Sequence, residues 1–79
     1  MSLDSIREQI DALDTELLKL LNERADLVHQ VGEIKKKDGI EIYAPEREES
    51  LLKRLAEKSE GRLTEDSIRA IYREIMSAA

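Results

Sequence analysis

The 79-residue chain has no cysteine, tryptophan or phenylalanine, and only one histidine and one proline. Without cysteine there is no disulfide to staple a small fold, and one histidine leaves too few ligands for a structural zinc site. Aromatic residues make up 3% of the chain and charged residues 39%, a balance that suits a helical bundle and argues against a β-sandwich. No apolar run approaches the ~20 residues of a membrane span. The opening MSLDSIREQI lacks the basic start and apolar stretch of a secretory signal. The formal net charge is −5 with the two signs interspersed, so the net basic face that phosphate binding needs is missing and nucleic acid is a poor partner. The expectation is a soluble, cytoplasmic protein with neither nucleic-acid nor membrane partners.

A chain of this length is expected to form one small domain, residues 1–79, that buries too little of its unfolded surface for a comfortable core. With disulfides and zinc set aside, oligomerisation is the remaining source of stability. No internal repeat, low-complexity segment or long period-2 alternation is present, although IEIY (residues 40–43) is a short strand candidate. The pattern predicts an all-α chain of three helices, one long, one short and one medium, over about 5–38, 45–59 and 64–78.

The first helix opens with Ser5 and Glu8 at capping-box spacing, with Ser2 and Asp4 as alternative caps. It closes on KKKDG, where the lysines suit the helix dipole and Gly39 supplies a left-handed exit. At 1.5 Å per residue such a helix is roughly 50 Å long, too long to cover its own apolar seam within so short a chain. It calls for a second copy of itself, paired in coiled-coil fashion over part of its length. In the second helix Pro45 suits the first helical position, Glu46, Glu48 and Glu49 suit the dipole, and Leu51, Leu52 and Leu55 form one apolar face. The third starts behind Thr64 as N-cap and carries the stripe Ile68, Ile71, Tyr72, Ile75 and Met76.

The seam of the first helix has one anomaly. A 3-4 alternation from Leu3 runs through Ile6, Ile10, Leu13, Leu17, Leu20, Arg24, Leu27, Val31 and Ile34, and Arg24 alone is not apolar. Arg24 and Lys35 are three helical turns plus about 20° apart, so they share a face with Val28 and Val31 between them. About 16 Å of rise separates their Cα atoms, a span that two long side chains close on a small anion. Arg7 lies roughly 25 Å back along the axis and about 100° around it, out of reach of the same ligand within one straight helix. In an antiparallel dimer crossing near Leu13 to Leu17 it would fall beside the middle of the other chain's helix. Arg47 and Glu48 open the second helix, with Glu48 on the Leu52 and Leu55 side, where a bundle builds sites.

Each of these residues also has a plainer reading. A seam arginine commonly makes an interchain salt bridge or sets register. Lys35 sits in a run of lysines that would ordinarily be a solvated helix end, and charged pairs such as Arg7 with Glu8 are ordinarily surface pairs of little energetic weight. His29 is on the far side of the helix from Val28 and Val31 and is expected to be exposed.

Taken together the residues form a pattern. The stretches IREQIDALDTELLKLLNERADLVHQVGEIKK, YAPEREESLLKRL and IRAIYREIMSA cover nearly the whole chain. Within them lie R-x-x-I-D-x-L-D, L-L-x-E-R, G-x-x-K and P-x-R-E. The chain resembles the all-helical chorismate mutases, including the mutase domains fused to prephenate dehydratase and other shikimate-pathway enzymes. The resemblance implies an intertwined homodimer of three-helix chains whose two sites each mix both protomers. It implies rearrangement of chorismate to prephenate, in phenylalanine and tyrosine biosynthesis, with no cofactor, metal or covalent intermediate. Arg24 and Lys35 of one chain and Arg7 of the partner chain would hold the substrate's carboxylates and ether oxygen. Arg47 would be a further cation near a carboxylate, and Glu48 would accept the hydrogen bond of the ring hydroxyl.

Two departures from the family pattern stand out. Many members carry Asp before the proline of P-x-R-E, as helix cap and close to the substrate hydroxyl; here the residue is Ala44. The family's third helix normally continues past the position of Ala79 and brings a Gln or Glu to the ether oxygen, a contact this stretch of sequence does not contain. The alternatives are an isochorismate–pyruvate lyase of the same fold, a catalytically weak mutase-like module that dimerises or regulates a fused enzyme, and a purely structural coiled coil. The last of these leaves the set Arg24, Lys35, Arg47 and Glu48 unexplained.

Overall fold

A computed structural model describes residues 1–41 and 44–78. Its elements are α1 (Leu3–Asp38), α2 (Pro45–Lys58) and α3 (Glu65–Ala78), with no strand among the described residues. The chain is all-α. Of the strand candidate IEIY, Ile40 and Glu41 are not in a strand, and Ile42 and Tyr43 lie outside the described residues.

α1 begins before the Ser5–Glu8 capping box. Ser2 is the N-cap: its backbone is extended (φ −112°, ψ 163°) and its Oγ accepts from the Ser5 N–H at 3.1 Å. Ser5 therefore spends its backbone donor inside the first turn, and the box is displaced by a cap three residues upstream. At the other end Gly39 adopts φ 70°, its N–H reaches Lys36 O at 3.4 Å, and the Ile40 N–H donates to Lys35 O at 2.8 Å. This is a Schellman closure, which needs a left-handed residue that only glycine supplies without strain.

Pro45 opens α2, where its missing N–H costs nothing. Glu46 and Glu48 lie in the first turn, but Glu49 is engaged elsewhere, on α3. The N-cap position is Ala44, and no side chain caps the helix there. α3 is capped as expected: the Ser67 N–H donates to Thr64 Oγ1 at 3.1 Å.

α2 and α3 pack on each other and bury Leu51, Leu52 and Ile68, the whole of the described buried core. Leu55, Tyr72, Ile75 and Met76 are half-buried, while Ile71, expected in the α3 stripe, is 44% exposed. α1 buries none of its residues, and its seam from Ile6 to Ile34 lies open.

Two global quantities follow from this. The radius of gyration is 15.9 Å, against about 12 Å for a compact domain of this length. The accessible surface is 7010 Å², whereas a compact monomer of 9.1 kDa exposes about 4,900 Å². The surplus of roughly 2,000 Å² is on the scale that each partner of a large obligate interface buries. It is carried by α1, the amphipathic rod that sets the 55 Å length of the molecule.

Candidate active site

The second half of α1 supplies one wall of a recess of about 240 Å³ with Arg24, Val28, Val31 and Lys35. The start of α2 supplies the opposite wall with Ala44, Arg47, Glu48 and Leu51, and α3 adds Met76. The α1 residues are brought together by helix period alone. Arg47 and Glu48 line the same space from the first turn of α2.

Of the five candidate residues, four line this one recess: Arg24, Lys35, Arg47 and Glu48. Arg24 and Lys35 are half-buried, and Arg47 and Glu48 are exposed. Arg7 is exposed on the first turns of α1 and takes no part in the recess. Met76 was expected only as part of an apolar stripe; its place in the recess depends on how α3 lies against α1, which no local pattern encodes.

Three cations and one carboxylate leave the recess two positive charges in excess, between apolar walls of Val28, Val31, Leu51 and Met76. Among the described residues no carboxylate pairs with Arg24. Half-exposed, its guanidinium keeps contact with solvent and avoids the penalty of an unpaired buried charge. The arrangement suits a small dianion with an apolar body and one hydroxyl: forks and an ammonium for the carboxylates, and Glu48 to accept from the hydroxyl. Among the described residues there is no cluster of His, Cys, Asp or Glu suited to a metal ion. No helix among them is long and apolar enough to cross a membrane.

A larger recess of about 350 Å³ lies on the other side of Arg24, lined by Leu21, Asn22, Ala25, Glu74, Ile75 and Ala78. It is mostly apolar and offers one cation and one carboxylate, so the convergent charges favour the smaller recess.

Other charged contacts lie outside the recess. His29 faces Glu33 one turn on at 3.8 Å, both well exposed, as its position away from the recess requires. Arg69 was not singled out by its sequence position. Its Nη1 donates to both Glu49 oxygens at 3.0 and 3.1 Å and its Nε donates to Glu65 Oε2 at 3.0 Å. The hydrogen bonds to Glu65 and then Glu49 raise the Arg69 pKa above its ordinary value, so it stays a cation across any working pH. The stability tied to this raised pKa is complete below the ordinary arginine range and is lost only as pH climbs through the raised value.

The comparisons with known proteins agree with one another. The sequence pattern of the family "Chorismate mutase type II" matches residues 6–79. A bifunctional chorismate mutase/prephenate dehydratase of Neisseria gonorrhoeae is 42% identical over 71 residues, covering 90% of this chain and 19% of that protein. A chorismate mutase of Methanocaldococcus jannaschii is 45% identical over 53 residues, 67% of this chain and 54% of that protein. The solved structure of chorismate mutase (form I) from Thermus thermophilus superposes with a TM-score of 0.93 at 33% identity, covering 96% of this chain and 95% of that one. The chain belongs to the chorismate mutase type II family. It spans about a fifth of the length of the bifunctional relatives that it matches.

Proposed function

We propose that this chain is a chorismate mutase domain that isomerises chorismate to prephenate, working as a homodimer with shared sites. The observation that carries the proposal is the convergence of Arg24, Lys35, Arg47 and Glu48 on one recess. The rearrangement breaks the ether C–O bond and forms a C–C bond within one molecule, so it consumes no nucleophile, acid, base or cofactor. Catalysis then comes from two sources. The forks of Arg24 and Arg47 hold the carboxylates so that the side chain lies over the ring in a reactive conformer. Lys35 supports the negative charge that grows on the ether oxygen only as the bond breaks, and such selective binding raises rate. Glu48 orients the ring by its hydroxyl.

The dimer part of the proposal rests on α1. Its open apolar seam and the surplus surface favour a second copy, and Arg7 is too far along α1 to reach its own chain's recess. An antiparallel pairing would bring the partner's Arg7 over that recess and close its open side. The names of the bifunctional relatives, chorismate mutase/prephenate dehydratase, support a domain that works joined to, or beside, a prephenate dehydratase, and a cytoplasmic setting is part of the proposal.

The test is to incubate the purified chain with chorismate, follow the loss of its ultraviolet absorbance and identify the product, with sedimentation run in parallel. Prephenate formed well above the uncatalysed rate by a dimeric species supports the reading. No turnover of chorismate with release of pyruvate from isochorismate would replace it with the lyase. Silence on both substrates would leave a domain that dimerises without this chemistry.

A further inference from the structure

The start of α2 carries two of the four recess residues, yet of the three helix N-termini it is the one without a side-chain cap. Its N-cap position is Ala44, which offers no side-chain acceptor, whereas Ser2 and Thr64 cap α1 and α3. An uncapped first turn frays, because its leading N–H groups have no partner. One residue past Glu48, Glu49 is gripped by both of its oxygens from Arg69 of α3. Arg69 is itself held by Glu65, and its side chain is only 19% exposed, while both carboxylates are 63% exposed. One nitrogen on both Glu49 oxygens is less than the two-nitrogen fork, but Glu49, Arg69 and Glu65 together form a network of three charges, the setting in which such pairs have measurable strength.

We propose that Arg69 is a positioning residue of the recess: through Glu49 it ties the start of α2 to α3, does the work of the missing cap, and keeps Arg47 and Glu48 facing Arg24 and Lys35. The proposal rests on the function proposed above for its kinetic consequence, but not for its structural one. When the tie is cut, the start of α2 spends part of its time frayed, and only the ordered fraction binds substrate. Apparent affinity falls by that fraction, while saturating substrate pulls the population back. KM therefore rises and kcat is retained. A general loss of stability would instead remove active protein and lower kcat.

The experiment compares the full chain with Arg69→Ala, Glu49→Gln, the double variant, and Arg69→Ala combined with Ala44→Ser. Amide hydrogen exchange at Glu48 and Glu49 is read without substrate, and KM and kcat are read with chorismate. Arg69→Ala is expected to speed exchange at both amides and to raise KM about fivefold, with kcat within about twofold. The double variant should be no worse than either single one, and Ala44→Ser, by supplying a cap, should restore most of the protection. Unchanged exchange in Arg69→Ala, additive losses in the double variant, or a fall in kcat at constant KM would each overturn the proposal. If the unaltered chain fails to convert chorismate, the proposed function falls, and the exchange data still decide the tie between Arg69 and α2.

Discussion

Arg24 and Lys35 stand three turns apart on α1 and line one recess, with Val28 and Val31 on the wall between them. The arginine that interrupts an otherwise apolar seam thus faces a pocket shared by all three helices. That placement leaves it open to a partner of a kind the seam cannot offer, and a small anion is the one proposed above.

Arg24→Ala should lower kcat/KM for chorismate by about a hundredfold or more, since it removes a charged partner of the substrate in a partly desolvated site. Sedimentation and helical content should stay as they were. Arg24→Lys should recover little, because an ammonium lacks the planar fork. Near-normal turnover by Arg24→Ala would sink the account of Arg24 as a substrate ligand.

The shared site can be tested by mixing. Arg7→Ala and Arg24→Ala are each expected to be nearly inactive alone. After subunit exchange, half of the dimers are mixed, and each mixed dimer holds one intact site. Activity should recover to about a quarter of the unaltered rate, as two-fold symmetry dictates. No recovery once exchange is confirmed by mass would show that Arg7 does not act across the dimer.

Gly39→Ala places a Cβ in open space, since nothing lies within 4 Å, so any cost is purely one of backbone conformation at φ 70°. Destabilisation of about 1 kcal/mol is expected in urea unfolding. The connection to α2 follows directly, so KM should also rise. A variant as stable as the original would mean that the Schellman closure contributes nothing.

Ala44→Asp would supply the side-chain acceptor that α2 lacks, beside Glu46 and Glu48 in a turn that favours anions. A gain of about 1 kcal/mol in unfolding stability is expected, with slower amide exchange in the first turn. If the new carboxylate also meets the substrate hydroxyl, KM falls. A loss of stability would imply that it repels Glu48 more than it caps the helix.

Much of this molecule is local in origin and was legible residue by residue. The 3-4 spacing of Leu and Ile marked the helices, Gly39 and Thr64 marked two of their ends, and helix rise alone put Arg24 and Lys35 on one face and Arg7 beyond them. The start of α1 stayed open in the sequence between equivalent local choices. Ser2 and Ser5 are both good caps, and the upstream one prevailed because it lets the helix add a turn. Ile71 keeps the period of its stripe but lies at the edge of the α2–α3 contact, so it remains 44% exposed.

What sequence by itself determined is whatever depends on neighbours a few residues apart: the all-helical character, the apolar seam of α1 and its polar break at Arg24. The tertiary structure decided which faces of α1, α2 and α3 meet. That brought Arg47, Glu48 and Met76 to the recess of Arg24 and Lys35, and set Arg69 against Glu49, twenty positions away in the chain. Such meetings follow from the angle at which two helices pack, and that angle is a property of many side chains fitted together at once.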